Sequence, residues 1–563
     1  MKKIIFIALS FIGFSNLKAQ SPSFEWVKQI ENNWASYSYD IELDSLGNIY
    51  TVGNFLGTAD FDPGLGVYNL TAVGSCDAYV SKMDPWGNLI WAKRIGDSDN
   101  DYAYTVKIDK QNNVYIGGSF TGTVDFDPGS GIYNLSSSND KPFILKLNSN
   151  GNFIWAKQMN SYYFSVDPNS NVISSRTFGG VYDFDPGPGT YTINGGYNTI
   201  GISKLDSAGN FLWATTYGTS AVPAFIEVDG LTTDGNGNTY TSGTFDGTFD
   251  FDPGVASLTL SCSNTKDMFI SKFNANGNFV WVKQFASTTS FNKINSIIVD
   301  KNSNVYTTGY FTNIVDFDPS STTHYLNSTT TLDAETFVSK LDSSGNFILA
   351  KSMGGSNLDV GQTIAVDEFE NIYTAGYFRG TSDFDPGIGI YNLSASWPAD
   401  IFISKLSPQG NFAWAFKMGG VGSDYGYSNV IDKTGNMYTT GWFQDSVDFD
   451  PSANSFNLSA TPNGYNGYIH KMSYLDVSVK KIDNATDISI YPNPTNGIIN
   501  IETTFLDKNL KIEVYNNLSE LLFEQKSVGK TNQINLSNLS NGIYFIKLIS
   551  DEKVLKTQKI IRL

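Results

Sequence analysis

The tetrapeptide Asp-Phe-Asp-Pro occurs seven times, its first aspartate falling at Asp60, Asp125, Asp183, Asp250, Asp316, Asp383 and Asp448, 58 to 67 residues apart. A period of that length makes each copy one supersecondary unit, and it rules out a single ordinary core. Four strand-like pieces recur around every copy. The first ends in aspartate, as in TVKID closing at Asp109. A five-residue Asp-x-x-x-Asn turn follows, as in DSLGN (44–48) and DKTGN (432–436). There the aspartate can hold the turn backbone, and Gly or Asn accepts a left-handed conformation. The second piece, such as NVYIGGSF, alternates and runs into the DFDP motif; the third reads DMFISKF and the fourth GNFVWVKQF. No helical period interrupts them, so each unit is predicted to be four short antiparallel strands.

A single unit of this kind cannot bury both its faces, so the copies must stack around an axis. Seven lysines mark the third strand: Lys82, Lys146, Lys204, Lys272, Lys340, Lys405 and Lys471. After Lys471 the expected GNFxWAK strand is missing. Its counterpart lies at the other end of the chain as SFEWVKQI (23–30), where Trp26 matches Trp91, Trp155, Trp213, Trp281, Leu349 and Trp414. A repeat split between the two termini predicts a closed ring. The fold expected is all-β: a seven-bladed β-propeller over residues 20–473, closed by the N-terminal strand. The patterns D-x-F-[IV]-S-K-[LF], G-N-x-x-W-A and I-x-V-D-x-x-G-N-x-Y resemble the bacterial beta-propeller repeats called SBBP. That resemblance implies the fold and leaves the activity open.

Both ends carry export signals. Lys2 and Lys3 precede an apolar run from Ile4 to Phe14 and the small residue Ala19. The run is too short to span a bilayer, so residues 1–19 are expected to be a secretory signal peptide. Beyond a linker at 474–486, residues 487–563 alternate between strand-like pieces and Asn/Gly turns, which predicts a small β-sandwich. Tyr491-Pro492-Asn493-Pro494-Thr495 with Gly497, then Asn541-Gly542-Ile543-Tyr544, and finally Lys559-Ile560-Ile561 resemble the C-terminal sorting domain of type IX secretion cargo in Bacteroidetes. The resemblance implies the type IX machinery as a partner and a secreted or outer-cell-surface location.

Charge and composition narrow the chemistry. A formal net charge of −18 argues against nucleic acid, whose phosphates demand clustered Lys and Arg. It suits divalent cations or extracellular solubility. His324 and His470 are the only histidines, too few for a His-based zinc site or a nucleophile triad. Cys76 and Cys262 fall on nearly opposite blades, well beyond the ~7 Å Cα limit of a disulfide. In each DFDP copy the first aspartate and its partner (Asp62, Asp127, Asp185, Asp252, Asp318, Asp385 or Asp450) are candidate Ca²⁺ ligands. No fixed third acid follows, although calcium takes six to eight oxygens. The structural alternative is a strand end whose Phe packs inward while the carboxylates face out or cap the turn. Seven equivalent pairs do not provide the one unequal pair that glycoside hydrolysis needs.

The variable connections GDSDNDYAY (96–104), GGSNLDVGQ (354–362) and GGVGSDYGY (419–427) are expected on the same face as the DFDP loops. They offer Asp101, Asp359 and Asp424 as a binding-face cluster. The reading is a non-enzymatic binding or scaffold module for a glycan, protein or matrix partner. The alternatives are a polysaccharide hydrolase or lyase using those acids, or a calcium-stabilised surface protein.

Overall fold

Every regular element is a strand, as the alternation of β-branched and aromatic residues predicts, and no helix occurs among the described residues. None is therefore long and apolar enough to cross a membrane. The computed structural model describes residues 22–473 and 488–563, apart from short stretches at 160, 162, 219–223, 255, 290, 331–332, 453, 462–463, 504–509, 517–520, 528 and 551–552. The predicted signal peptide (1–19) and linker (474–486) lie outside the described residues. The chain divides into two compact units, Met1–Leu475 and Asp476–Leu563.

In the first unit, seven sheets, I to VII, each built on four antiparallel strands, follow one another among the described residues; short added strands extend sheets IV and V to six strands and sheet VI to seven. Sheet I comprises Ser36–Leu43, Ile49–Phe55, Asp77–Met83 and Leu89–Ile95. The first strands of sheets II to VI are Tyr102–Ile108, Phe164–Val166, Phe225–Thr233, Lys293–Val299 and Asp359–Val366. Sheet VII holds Tyr425–Ile431, Met437–Gln444 and Tyr465–Ser473, and its fourth strand is Ser23–Gln29 from the start of the chain. Trp26 pairs with Lys471 as Trp91 pairs with Lys82 and Trp155 with Lys146. Each first strand touches that of the next sheet, and Tyr425–Ile431 touches Ser36–Leu43.

The repeated residues hold neighbouring sheets together. Lys82 Nζ and Trp91 Nε1 both donate to the Ser149 carbonyl of sheet II, at 3.1 and 3.3 Å. Lys146 and Trp155 do the same at Ser207 in sheet III, and Lys471 donates to the Pro85 carbonyl at 3.2 Å, tying the last repeat to the first. The Lys82 ammonium also lies 5.0 Å from the Tyr50 ring centroid, a cation–π contact. In the Asp-x-x-x-Asn turn, Asp44 Oδ1 accepts the amides of Leu46 and Asn48, and Oδ2 accepts Asn48 Nδ2 and the Tyr50 hydroxyl. Sheet III lacks that tyrosine, with Ile173 opposite Lys204. Without the ring, Lys204 closes on Asp167 at 2.8 Å, against 3.7 Å for Lys82 and Asp44.

The phenylalanine of each DFDP motif is buried; Phe126 packs 5.3 Å from Phe120 and 4.8 Å from Phe143. In several copies the short strand that ends in the motif pairs with the fourth strand of the preceding sheet, as in Gly355 opposite Ser382 and Gly420 opposite Val447. Both cysteines are buried, and no disulfide joins them.

The second unit has two antiparallel sheets. One contains Ile488–Tyr491, Ile498–Thr503 and Thr531–Asn535; the other contains Leu521–Lys526, Lys511–Tyr515, Gly542–Ser550 and Lys553–Arg562. They share an apolar cluster that includes Ile499, Ile512, Ile534 and Ile546. Asn493 sits between Pro492 and Pro494 and grips the last strand. Its Nδ2 donates to the Lys559 carbonyl at 2.7 Å and its Oδ1 accepts the Ile561 amide at 2.9 Å. Gly497 has φ +132°, and a Cβ there would strike Ser537. Gly542 opens the strand that carries Tyr544, whose hydroxyl donates to the Ser540 carbonyl at 2.6 Å.

Candidate binding site

The DFDP carboxylates are engaged by their own loops. Asp60 Oδ1 accepts the amides of Asp62 and Tyr68, at 3.0 and 2.8 Å. The same two bonds recur at Asp125, Asp183, Asp250, Asp316, Asp383 and Asp448. Asp62 Oδ1 accepts the Gly64 amide at 2.8 Å, with equivalents at Asp127, Asp185, Asp252, Asp318, Asp385 and Asp450. Among the described residues, no three of His, Cys, Asp and Glu converge as metal ligands. Two aspartates already bonded to backbone fall short of a calcium shell on their own.

Asp101, Asp359 and Asp424, expected on the binding face, are fully buried. Each braces its connection from within: its Oδ2 accepts the amide four residues earlier, from Asp97, Gly355 or Gly420, at 2.8 to 2.9 Å. Burial pushes all three carboxyls up to about 7, and the nearby carboxylates Asp97, Glu335 and Asp400 push the same way. Two acids that lie five residues before a repeated lysine, Asp77 and Asp400, pair with Arg94 at 2.5 Å and with Lys417 at 2.6 Å.

The unrepeated chemistry lies on the first strands. Six of them carry a β-bulge at one equivalent place, which leaves Tyr39, Tyr104, Asp229, Asn295, Gln362 and Tyr427 outside the ladder. The second strand supplies a glycine there: Gly53, Gly118, Gly243, Gly309, Gly376 or Gly441. A Cβ on any of them would overlap a first-strand carbonyl oxygen, such as that of Tyr37 or Tyr425. The recurring glycine therefore permits the bulge, and the bulge re-aims one side chain per sheet.

Sheets VII, I and II place tyrosine at that position. The Tyr39 ring lies 5.6 Å from Tyr104 and 5.5 Å from Tyr427. Two residues earlier, Tyr37 stacks on Tyr39 with 1° between planes, and Tyr102 stacks on Tyr104 with 10°. Trp442 joins Tyr425 at 4.6 Å and Tyr465 at 5.0 Å, while Tyr377 of sheet VI meets Tyr425 at 4.4 Å. All these rings are partly exposed. Burial, and then neighbouring tyrosine hydroxyls, raise Tyr37 and Tyr377 to about 12, so both stay neutral hydrogen-bond donors. On the other sheets the bulged residues are polar. Asn295 Nδ2 donates to Gln362 Oε1 at 2.9 Å, and Asp229 pairs with Lys293 at 3.0 Å. Asp40, next to Tyr39, accepts the Val106 amide at 2.9 Å and the Ser428 hydroxyl at 2.7 Å, which links the three tyrosine-bearing sheets. The signal for this cluster was present as Tyr-x-Tyr in SYSYD, DYAYT and DYGYS, but sequence reasoning passed over it in favour of the acids.

Residues 489–562 match the family model described as a secretion system C-terminal sorting domain, and residues 25–54 match a beta-propeller repeat. The chain thus carries a type IX sorting domain, which makes it a cargo of that machinery and places it outside the cell, secreted or on the outer surface. It is 24% identical over 535 aligned residues to an uncharacterized WD repeat-containing protein of Acanthamoeba polyphaga mimivirus, covering 79% of this chain and 38% of that protein. Similar solved structures include a protein of unknown function from Bacteroides caccae (8% identity, TM-score 0.25, 68% of this chain and 93% of that one). Another is PorZ, a surface component of the type IX secretion system of Porphyromonas gingivalis (10%, TM-score 0.16, 95% and 100%).

Proposed function

We propose that this exported cargo is a seven-bladed β-propeller over residues 20–473, joined by a linker at 474–486 to a sorting β-sandwich over 487–563. Its work is non-enzymatic binding of a glycan at the tyrosine cluster. Support for the ring comes from the split last repeat, the chain of contacts between first strands and the Lys471–Pro85 bond. The binding role rests on one observation: the bulges turn tyrosines toward one another on three adjacent sheets and polar groups on the others. Partly exposed rings with neutral hydroxyls offer an apolar face and donors at once, and amides complete an amphipathic surface suited to sugar rings. The two lysines near the bulges, Lys107 and Lys293, are paired with Asp40, Glu42 and Asp229, which favours an uncharged ligand over an anionic one. The hydrolase alternative loses its acids to burial.

Tyr39→Ala and Trp442→Ala are each expected to weaken the glycan selected on an array by at least about 2 kcal/mol, near thirtyfold, as for a central aromatic anchor. Titration calorimetry with the selected oligosaccharide measures this. Wild-type affinity in both variants would remove the cluster as the site.

A further inference from the structure

The seam where Ser23–Gln29 joins sheet VII gathers unpaired oxygens and a pair of like charges. Asn466 precedes Lys471 by five residues, as Asp77 precedes Lys82, and Gln29 follows Trp26 by three, as Arg94 follows Trp91. The ion pairs Asp77–Arg94 of sheet I and Asp400–Lys417 of sheet VI are two neutral amides here. Asn466 is 1% exposed, and its Oδ1 and Gln29 Oε1 are both buried without a hydrogen-bond partner. A buried carbonyl oxygen left unpaired is costly.

The seam also carries a pair of like charges. Glu31 sits directly opposite Asp60 across a short antiparallel ladder. At the equivalent ladders, Asp316 faces Ala286, Asp383 faces Gly354 and Asp448 faces Gly419. Like charges placed directly opposite destabilise a strand pair. Glu31, Asp60, Gln29 and Asn466 all line one cavity of about 480 Å³.

We propose that this seam cavity is a site for a single Ca²⁺ ion, held by the carboxylates of Glu31 and Asp60 and the side-chain carbonyls of Gln29 and Asn466, with water completing the shell. An all-oxygen donor set mixing carboxylates and amides is what a hard divalent cation takes, and it lacks the nitrogen and sulfur that zinc prefers. The ion would remove the Glu31–Asp60 repulsion and satisfy both orphaned oxygens. It would also clasp the N-terminal strand to the first and last repeats at once. This site is independent of the glycan reading.

The test uses the full mature chain, stripped with chelator and titrated with CaCl₂ by calorimetry, with melting followed in parallel. One ion per chain and a raised melting temperature are expected. Glu31→Gln, at an exposed side chain, should weaken binding by at least about tenfold. Asp383→Asn, the same loop position facing Gly354, should leave binding unchanged. No binding heat would overturn the proposal. So would a stoichiometry near seven that ignores Glu31→Gln, because it would return the ions to the DFDP loops.

Discussion

Deleting residues 23–30 should lower the melting temperature of the first unit by about 10 °C or more, because the strand is buried structure and no mere leader. Val27 is 5% exposed and Ile30 fully buried, and the strand runs antiparallel along Tyr465–Ser473 from Ser23 opposite Ser473 to Gln29 opposite Tyr468. Burial of two aliphatic side chains contributes about 3–6 kcal/mol, before the lost ladder and the exposed flank of sheet VII are counted. The Ile30 amide also donates to the Gly467 carbonyl at 2.9 Å, and the Gly467 amide to Ser36 Oγ at 3.0 Å. Removing the strand therefore weakens the link between the last repeat and the first. Scanning calorimetry and limited proteolysis report on both effects. A deletion variant that melts and resists protease like the full chain would show that the N-terminal strand does not close the fold.

Asp359→Asn should raise the melting temperature at pH 8 and leave it unchanged at pH 4. Burial, foremost, and Glu335 lift the Asp359 carboxyl from 3.8 to about 7. A carboxyl raised on folding holds its proton more tightly in the native state. That contribution is fully present below pH 3.8 and is lost as the pH rises to about 7. The limiting loss is on the order of 4 kcal/mol. Asparagine cannot ionise, so the variant escapes it. Ser382, which donates to Asp359 Oδ1 at 2.7 Å, can rotate its hydroxyl to suit the amide. Sheet V already carries this solution: Asn292 Oδ1 accepts the Thr312 amide at 3.0 Å and its Nδ2 donates to Ser287 Oγ at 2.7 Å. An equal shift at pH 4 and pH 8 would mean that packing, not ionisation, governs this position.

Local chemistry was legible from the chain. The Asp44 turn draws its partners from the next six residues, and Phe126 packs on Phe120 and Phe143 of its own repeat, so one repeat exposes the rule and seven confirm it. The burial of the acids was not legible, because exposure is not a local property. Asp101 lies in a polar, Asp-rich stretch that reads as surface, yet its carboxyl turns inward onto the Asp97 amide. The bulges were equally hidden, since nothing in SYSYD announces that Tyr39 leaves the ladder; the cause is Gly53 on the neighbouring strand.

The sequence by itself determined the repeat, the strand order within it, the turn chemistry, the split of the last unit and the C-terminal sorting domain. Each of these is written in short-range spacing or in exact recurrence. Tertiary structure alone decided which residues meet. Tyr39 touches Tyr427, and Glu31 and Asp60 share a cavity with Asn466, only because the two ends of the first unit are brought together. Such contacts leave no periodic trace in the chain, because they depend on how seven similar sheets are arranged and on the few positions where one copy departs from the rest.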